Sequence, residues 1–425
     1  MKDIAEKSLF DIPGGWKTLL WILVLLGIGM FIAGLMTGGE ESVVRTWQAF
    51  LINTVFWGGI AHAGVIFAVI WQITDAKWGR AFKRLAEACA GFLPISFLMF
   101  MVVFFGSHVL YEWTHTPFLH HGEAVKQGWL NLPFFISRNV FWLLLIYGIS
   151  YWFVKTSIKP DIALARRLIG SEWGGKFADW VLEDYGEHET EVIRLEKLSR
   201  KIAPVLALVY SIGGSFLAWD FVMTLDQTWF STLFGVFVMI GNMHAFLGLM
   251  LVVAVTVRKK FAIEEYISIN RLHDLAKMTF AFSLLWTYMG YSQYIVIWYA
   301  DLPEETPYLI IRSMNAPWNT LFLVIILWVF VSVFLGLLPR TLCRIPNYIR
   351  LMGIWVMLGQ LLSVYIMVVP SLQHDGHYHI FMGMHELLIT LGFVGAFFLC
   401  YLAFLGKLPI LPISDKHLCR TWHGH

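Results

Sequence analysis

Ten apolar stretches constrain the fold of this 425-residue chain more than any other feature of its sequence. A helix of about 20 apolar residues is long enough to cross the hydrocarbon core of a bilayer. Hydrophobic residues make up 58% of the chain and charged residues only 14%, which is more apolar than a soluble domain needs to be. The sequence therefore predicts an all-α polytopic membrane protein with ten transmembrane helices. They are predicted at roughly Trp16–Met36, Trp47–Trp71, Cys89–Leu110, Val140–Val154, Ile202–Met223, Leu233–Val257, Met278–Ala300, Trp318–Leu338, Ile349–Val369 and His385–Leu405.

The basic residues predict the orientation of these helices. All but four of the 31 Lys and Arg residues lie near the N-terminus or in the segments that follow the even-numbered helices. Because basic residues concentrate on the cytoplasmic side of membrane proteins, both termini are expected in the cytoplasm. Basic runs such as Arg258–Lys260 lie at helix ends, where they anchor a helix in the lipid bilayer, and nucleic acid is not an expected partner. The four residues on the opposite side are Arg45, Lys126, Arg138 and Arg312.

No cofactor motif accompanies the apolar helices. The four cysteines, at positions 89, 343, 400 and 419, are scattered and form no CxxC or CxxCH pattern. Covalent haem and iron–sulfur clusters are therefore not expected in this chain. The first apolar stretch lacks a small-residue cleavage pattern and is interpreted as a retained helix, not a signal peptide.

A short phrase occurs twice and indicates an internal duplication. Gly59–Ala63 reads GIAHA and Gly241–Ala245 reads GNMHA, and similar residues open the helices that follow each copy. This predicts two four-helix bundles in parallel orientation, helices 2–5 and helices 6–9, with helices 1 and 10 at the periphery. The predicted units are 1–40, 41–225 with a long cytoplasmic loop at 155–201, 226–370, and 371–425.

The histidines of the repeated phrase, His62 and His244, lie near the middle of their predicted helices. An ionisable ring at this depth usually faces a protein interior or a wet cavity. Three interpretations stay open for each: a member of a proton relay, a haem ligand, or a core histidine that is hydrogen-bonded to a neighbour.

Hydroxyl-bearing side chains follow one stripe of the seventh predicted helix, with Tyr288 and Tyr291 among them. Such a stripe can belong to a proton path, or it can simply hold neighbouring helices together.

Polar residues also gather where helices are predicted to end on the outer side. Asp220, Asp226, His108, Glu112, His385 and Glu386 lie there. A carboxylate beside aromatic residues can accept or release protons, and the alternative is a carboxylate that caps a helix end in water. The outer loop also holds His374, His377 and His379, which could bind a metal, but a docking surface is the preferred interpretation and no metal site is predicted.

Four stretches resemble the ActF subunit of bacterial alternative complex III. They are Trp219–Gly235, Gly241–Ala245, Tyr291–Glu305 and Arg312–Trp318, and the likeness extends over nearly the whole chain. ActF and its sister ActC are related to the NrfD and polysulfide-reductase membrane subunits. The resemblance implies ten helices with two four-helix bundles, in a multi-pass protein of the bacterial cytoplasmic membrane.

The resemblance also implies a function in a respiratory or photosynthetic electron-transfer chain. Its complexes oxidise a quinol, menaquinol or ubiquinol, and pass electrons through an iron–sulfur subunit and multihaem and monohaem cytochrome c subunits. Haem c and iron–sulfur clusters are then expected in partner subunits, beside small membrane subunits and an ActC-like sister that binds the quinol. This chain would bind no redox cofactor of its own and would act as a scaffold and a proton-conducting subunit.

Two further hypotheses stay open. The chain could itself bind and oxidise quinol, or it could be a secondary transporter, which parallel repeats allow. Candidates for a proton path are His62, His244, Asp220, Tyr288, Tyr291 and Glu386. Candidates for a quinol site are His108, Asp220, Asp226 and Trp229.

Overall fold

The computed structural model describes residues 2, 5–6, 9–37, 39–116, 119–120, 123–124, 126–373 and 379–415. Within these residues the chain forms ten long helices. In chain order they are α1 (Gly14–Met36), α2 (Glu40–Thr74), α3 (Arg80–Phe105), α4 (Leu132–Ile169), α5 (His188–Phe221), α6 (Phe234–Lys260), α7 (Ile269–Ala300), α8 (Trp318–Leu337), α9 (Pro346–Val368) and α10 (Met384–Leu405).

Short elements connect the long helices. Two-residue strands, β1 (Leu119–His120) and β2 (Glu123–Ala124), pair antiparallel between α3 and α4. The remaining α-helical segments are Ser107–Leu110, Gly175–Leu182 and Thr306–Ser313, and 3₁₀ turns occur at Glu112–Thr114, Met223–Leu225, Leu342–Arg344 and Val369–Leu372. Helix α8 contains a π-helical stretch at Ile326–Ser332.

Nine of the long helices in the described residues have the length and apolar composition needed to cross a membrane. The prediction of an all-α polytopic membrane protein is therefore confirmed. Helix α7 is 32 residues long but is not among the nine, because polar residues recur along it and no stretch of it is sufficiently apolar.

The segment 155–201, which was predicted as a long loop, is mostly helical. Helix α4 runs on to Ile169, and α5 already begins at His188. The start of α4 at Leu132 also precedes the apolar run. It is fixed by Asn131, whose side chain accepts a hydrogen bond from the Phe134 amide at 3.0 Å. Capping by a side chain satisfies a free amide of the first turn, so helix ends need not coincide with the limits of an apolar stretch.

Helices α2 and α6 form the centre of the molecule. Every residue of α2 from Thr46 to Val69 is buried, and α2 packs against α3, α5, α6 and α10. Helix α6 packs against α2, α5, α7 and α9. The two copies of the repeated phrase meet at this contact, since a Cβ atom added at Gly59 would lie 2.3 Å from the amide carbon of Asn242.

Helix α1 lies at the edge and packs mainly against α10 through glycines. A Cβ atom at Gly27 would lie 2.5 Å from the Cα atom of Gly392, whereas one at Gly29 would meet nothing within 4 Å. Small residues of this kind let the backbones of two membrane helices approach closely.

We expect Gly27→Ala to destabilise the protein by about 1–3 kcal/mol, the usual cost of inserting a methyl group where the backbone leaves no room. The matched control is Gly29→Ala, which should be neutral or slightly stabilising because alanine favours a helix over glycine. Thermal unfolding of both variants in detergent measures the difference. Equal stability of the two variants would contradict the close contact.

Candidate functional site

Three carboxylates are fully buried in the part of the chain that the structure describes. They are Glu87 on α3, Asp161 on α4 and Asp220 on α5, each with no exposed surface. A buried charge is costly unless it is paired and hydrogen-bonded. All three are paired with a buried arginine, and all three lie on α3, α4 or α5, so the site is built by these three helices.

Asp220 forms a two-pronged ion pair with Arg138 of α4. The Arg138 Nε donates to Oδ2 at 2.6 Å and Nη2 donates to Oδ1 at 2.7 Å. The Asn139 amide donates to Oδ2 at 2.8 Å, and the Trp129 ring covers the guanidinium at 4.1 Å. Asp220 is therefore not a helix cap in water, which was one of its two predicted roles, but a desolvated carboxylate held by α4.

A second cluster surrounds Arg84 near the other end of α4. The Arg84 Nε donates to Asp161 Oδ2 at 2.6 Å, and Nη1 donates to the Glu87 carboxylate and to Ser157 Oγ. The backbone amide of Ser414 donates to the second oxygen of Asp161 at 2.7 Å. One oxygen of Glu87, Oε1, is buried without a hydrogen-bond partner in the described residues.

A polar cavity of about 130 Å³ adjoins this cluster, and Lys83, Arg84 and Ser157 line it together with Glu196. This is ample space for several water molecules, because a single water needs only about 10–15 Å³ of such volume.

Helix α4 connects the two clusters by a stripe of buried polar side chains. These are Asn139, Tyr147, Ser150, Ser157 and Asp161, at spacings that keep them on one face of a helix. From the first to the last the stripe extends about 33 Å along the axis, at ~1.5 Å per residue. This is comparable to the thickness of the bilayer core, about 30 Å.

His62 of α2 lies beside the middle of this stripe. Its ring centroid is 4.8 Å from that of Tyr147 and 5.9 Å from that of Tyr210, and the Tyr147 hydroxyl is 2.9 Å from Ser96 Oγ on α3. The His62 Nε2 atom is buried and has no hydrogen-bond partner in the described residues. The Nε2 atom of His244 is likewise buried and unpartnered among the described residues, so this atom alone does not decide between a relay member and a core histidine.

A cavity of about 40 Å³ adjoins His62 and is lined also by Gly59, Tyr210 and Asn242. It can hold water, but it is far smaller than the ~300–1,000 Å³ of small-molecule and cofactor sites. The volume of this cavity is sufficient for the water of a proton relay and too small for a haem.

His244, the repeated histidine, lies in a different environment. It is fully buried, and its Nδ1 is 2.9 Å from the Gln360 amide nitrogen of α9. Among the described residues of α6 to α9, no buried carboxylate accompanies it. His244 thus resembles the hydrogen-bonded core histidine more closely than His62 does.

Three other candidates for a proton path lie away from the stripe. Tyr288 and Tyr291 are 62% and 58% exposed on the outside of α7. Glu386 at the start of α10 pairs with Arg45 of α2 at 2.7 Å and accepts from the Gly383 amide.

The candidates for a quinol site are brought together only in part. Asp226 and Trp229 line one cavity of about 300 Å³ with Trp129 and Trp219, and Trp129 links it to the Arg138–Asp220 pair. The Asp226 carboxylate accepts from the Thr228 amide at 3.0 Å and so stabilises its own turn. His108 is exposed in the segment after α3.

Trp229 also belongs to a stack of three side chains, with Tyr308 on Trp229 and Arg312 on Tyr308. The Trp229 and Tyr308 rings are parallel at 3.8 Å, and the Arg312 guanidinium lies 3.5 Å from the Tyr308 centroid. Backbone carbonyls of Ile366 and Met367 accept from Arg312. Burial lowers the pKa of Arg312, and Tyr308 and Asp226 oppose that effect. The sequence identified Arg312 only as one of the four basic residues on the outer side of the membrane, with no role in a site.

The described residues contain no cluster of three or more side chains that could hold a metal ion. His374 and His377 lie outside these residues.

Sequence reasoning missed Arg84, Glu87 and Asp161. The i, i+3 spacing of Arg84 and Glu87 at the start of an apolar run was a usable signal. Asp161 lay in a segment rich in basic residues and was assigned to a loop. Neither protein-family models nor curated proteins match this sequence.

Proposed function

We propose that this chain is an integral membrane subunit of a quinol:electron-acceptor oxidoreductase, in which it acts as a scaffold and as a proton-conducting subunit. The observation that carries the proton-conducting role is the buried polar stripe of α4, which ends at one side in Asp161 and at the other in the Arg138–Asp220 pair. Polar side chains inside a transmembrane helix bundle are costly, and they usually mark a functional path.

The proton route runs through α2 to α5. At one end is the buried, unpartnered oxygen of Glu87, whose partner Arg84 lines the polar cavity together with Lys83 and Ser157. Proton transfer needs groups about 2.6–3.2 Å apart, directly or through a water. The Tyr147–Ser96 pair meets this condition directly, and the cavity beside His62 supplies room for water toward α5. At the other end the route reaches Asp220.

The number of membrane spans, their grouping into two units and their orientation are part of the same proposal. We propose that α7 also crosses the membrane, because it packs along both α6 and α8. Eight of the ten spans then form two four-helix units, since α2, α3, α4 and α5 pack in a ring and α6, α7, α8 and α9 pack in another. The charge distribution supports an orientation with both termini in the cytoplasm, and the sequence resemblance supports a location in the bacterial cytoplasmic membrane.

The redox chemistry belongs to partner chains in this proposal. An iron–sulfur subunit, cytochrome c subunits and an ActC-like sister would carry electrons from menaquinol or ubiquinol to the acceptor. The basis is the sequence resemblance, together with the scarcity of cysteine and the scattered positions of the four cysteines.

We expect the chain, when it is purified gently from its native membrane, to be accompanied by a multihaem cytochrome and an iron–sulfur protein. The purified complex should then show haem absorbance that is reduced by added quinol, while the chain expressed alone should show none. Spectroscopy of both preparations and mass spectrometry of the co-purifying chains make the measurement. A stoichiometric haem spectrum in the isolated chain, or a native preparation without redox proteins, contradicts the proposal.

A second candidate function is quinol binding by this chain itself. The cavity of about 300 Å³ that Asp226 and Trp229 share favours it, because this volume is at the lower limit of small-molecule sites. Asp220 lies behind the Trp129 ring and would take up a proton only after its pair with Arg138 opens. Binding of a quinone-site inhibitor to the isolated chain, lost in Trp229→Leu, would distinguish this candidate from a purely proton-conducting role.

A further inference from the structure

A cavity of about 570 Å³ lies between α2, α9 and α10, away from the polar stripe of α4. Its walls are mainly aliphatic and include Ile52, Leu358, Leu361, Leu362 and Leu387. The volume is within the usual range for a small-molecule site, and such sites combine apolar walls with a few polar groups.

Two amide side chains of α2 face this cavity. Asn53 is only 1% exposed, and its amide nitrogen donates to the Ala49 carbonyl at 2.9 Å and to Thr390 Oγ1 at 3.0 Å. Its carbonyl oxygen, Oδ1, is buried and accepts no hydrogen bond in the described residues. Gln48, one turn earlier, is 3% exposed.

An unpartnered buried acceptor is costly, and native structures rarely leave one without a reason. The Asn53 oxygen therefore has an acceptor position free for a donor from outside the chain, either a water molecule or the head group of a bound molecule. A carbonyl group cannot supply it, whereas a hydroxyl group can.

The charged residues at the cavity are already paired with each other. The Arg45 Nε and Nη2 atoms lie 2.8 Å and 2.7 Å from the same oxygen of Glu386, and the Phe381 ring covers the guanidinium at 4.6 Å. The pair is neutral as a whole, so it offers no free charge to an anionic or a cationic head group.

We propose that this cavity binds a neutral, lipid-soluble molecule whose head carries a hydroxyl group that donates to Asn53 Oδ1. The Gln48 amide would hydrogen-bond the same head, and the leucines would contact its apolar body. Two membrane components have this chemistry, a quinol and a diacylglycerol. A quinol as the occupant rests on the proposed function, in which the complex oxidises a membrane quinol. The existence of the site does not depend on that function. An oxidised quinone, which has only acceptor oxygens, should bind more weakly than the quinol.

The test uses the full-length chain purified in detergent and four probes. They are a short-chain quinol, the corresponding quinone, dioctanoylglycerol and dioctanoyl phosphatidate, in which a phosphate replaces the hydroxyl group, and native mass spectrometry measures the bound fraction of each. The quinol or the diacylglycerol, or both, should bind, and the quinol should bind roughly 3- to 10-fold more tightly than the quinone, as the gain of one hydrogen bond predicts. Asn53→Leu should weaken binding by a similar factor and remove the preference, and Gln48→Leu should weaken binding without removing it.

The matched control is Thr54→Val. Thr54 is the buried neighbour of Asn53, but its hydroxyl donates to the Phe50 carbonyl of its own helix at 2.8 Å and does not line the cavity. This variant should bind all four probes as the unaltered chain does.

Two results would overturn the proposal. The first is tightest binding of the anionic phosphatidate. The second is equal binding of quinol and quinone, together with diacylglycerol binding that Asn53→Leu leaves unchanged. Binding of diacylglycerol alone, lost in Asn53→Leu, supports the site and assigns it to a glycerolipid. The wild-type comparison of probes needs no variant, so a folding defect cannot obscure it. Because the test uses the isolated chain, its result is independent of whether cytochromes co-purify from the native membrane.

Discussion

Arg138→Met is expected to lower the free energy of unfolding by about 3–5 kcal/mol, because it leaves the Asp220 carboxylate buried without its partner. Asp220 has no exposed surface and receives two of its three hydrogen bonds from this one guanidinium. Methionine has a similar length and fills the same space beside Trp129. The loss should therefore reflect the unpaired charge and not a cavity.

Thermal unfolding in detergent measures this effect, and two further variants identify its cause. The double variant Arg138→Met with Asp220→Leu should recover much of the stability, since replacing a buried ion pair by apolar residues is often neutral. Arg200→Met removes a pair whose side chains are 57% and 54% exposed, and it should cost less than about 1 kcal/mol. A double variant that is less stable than Arg138→Met alone would contradict this explanation. It would show that the Asp220 carboxylate stabilises the fold by more than its charge neutralisation with Arg138.

The positions of the helices could be predicted from the sequence, but their ends could not. Apolar runs locate the part of a helix that lies in lipid, whereas the polar turns beyond it depend on caps and on packing in water. Helix α4 shows the difference: its apolar part is short, yet Asn131 starts it early and contacts near Asp161 extend it beyond the predicted end. Residues 155–201, predicted as a long cytoplasmic loop, are mostly helical for this reason, and their place outside the membrane stays a prediction.

The candidate site could be predicted only where a single residue was unusual in its surroundings. His62 and Asp220 stood out because ionisable groups are rare near apolar helices. Their partners did not stand out: Arg138 is 82 positions from Asp220 in the chain, and Arg84 is 77 positions from Asp161. Contacts over such separations depend on how helices pack, which one sequence does not specify.

The tyrosines of α7 illustrate a different limit. The spacing of Tyr288 and Tyr291 places them on a shared side of the helix, and the structure agrees, with both exposed. Periodicity shows which residues share a face, but it does not show which face points inward when polar and apolar residues occur all around a helix. Their role in a proton path stays a prediction, and any such path would lie outside the helix bundle of this chain.

Glu87→Gln is expected to reduce proton movement coupled to quinol oxidation by roughly 10²-fold, the lower range for loss of a positioned proton-transfer group. Glutamine has nearly the same shape and can still accept from Arg84, and Asp161 continues to neutralise that arginine. The complex should therefore assemble normally. The measurement is the ratio of protons moved to electrons transferred, in vesicles that contain the whole complex.

The two repeated histidines provide the discriminating comparison in the same assay. His62→Phe should lower the proton-to-electron ratio as Glu87→Gln does, because His62 lies between the Tyr147 ring and the cavity that leads toward Asp220. His244→Phe should leave the ratio unchanged, because that ring is bound to Gln360 and no buried carboxylate accompanies it among the described residues of its unit. Equal loss in both histidine variants would place the route across both units instead of α2 to α5. Unchanged ratios in all three variants would mean that the buried charges of α3 to α5 stabilise the helix bundle and conduct no protons.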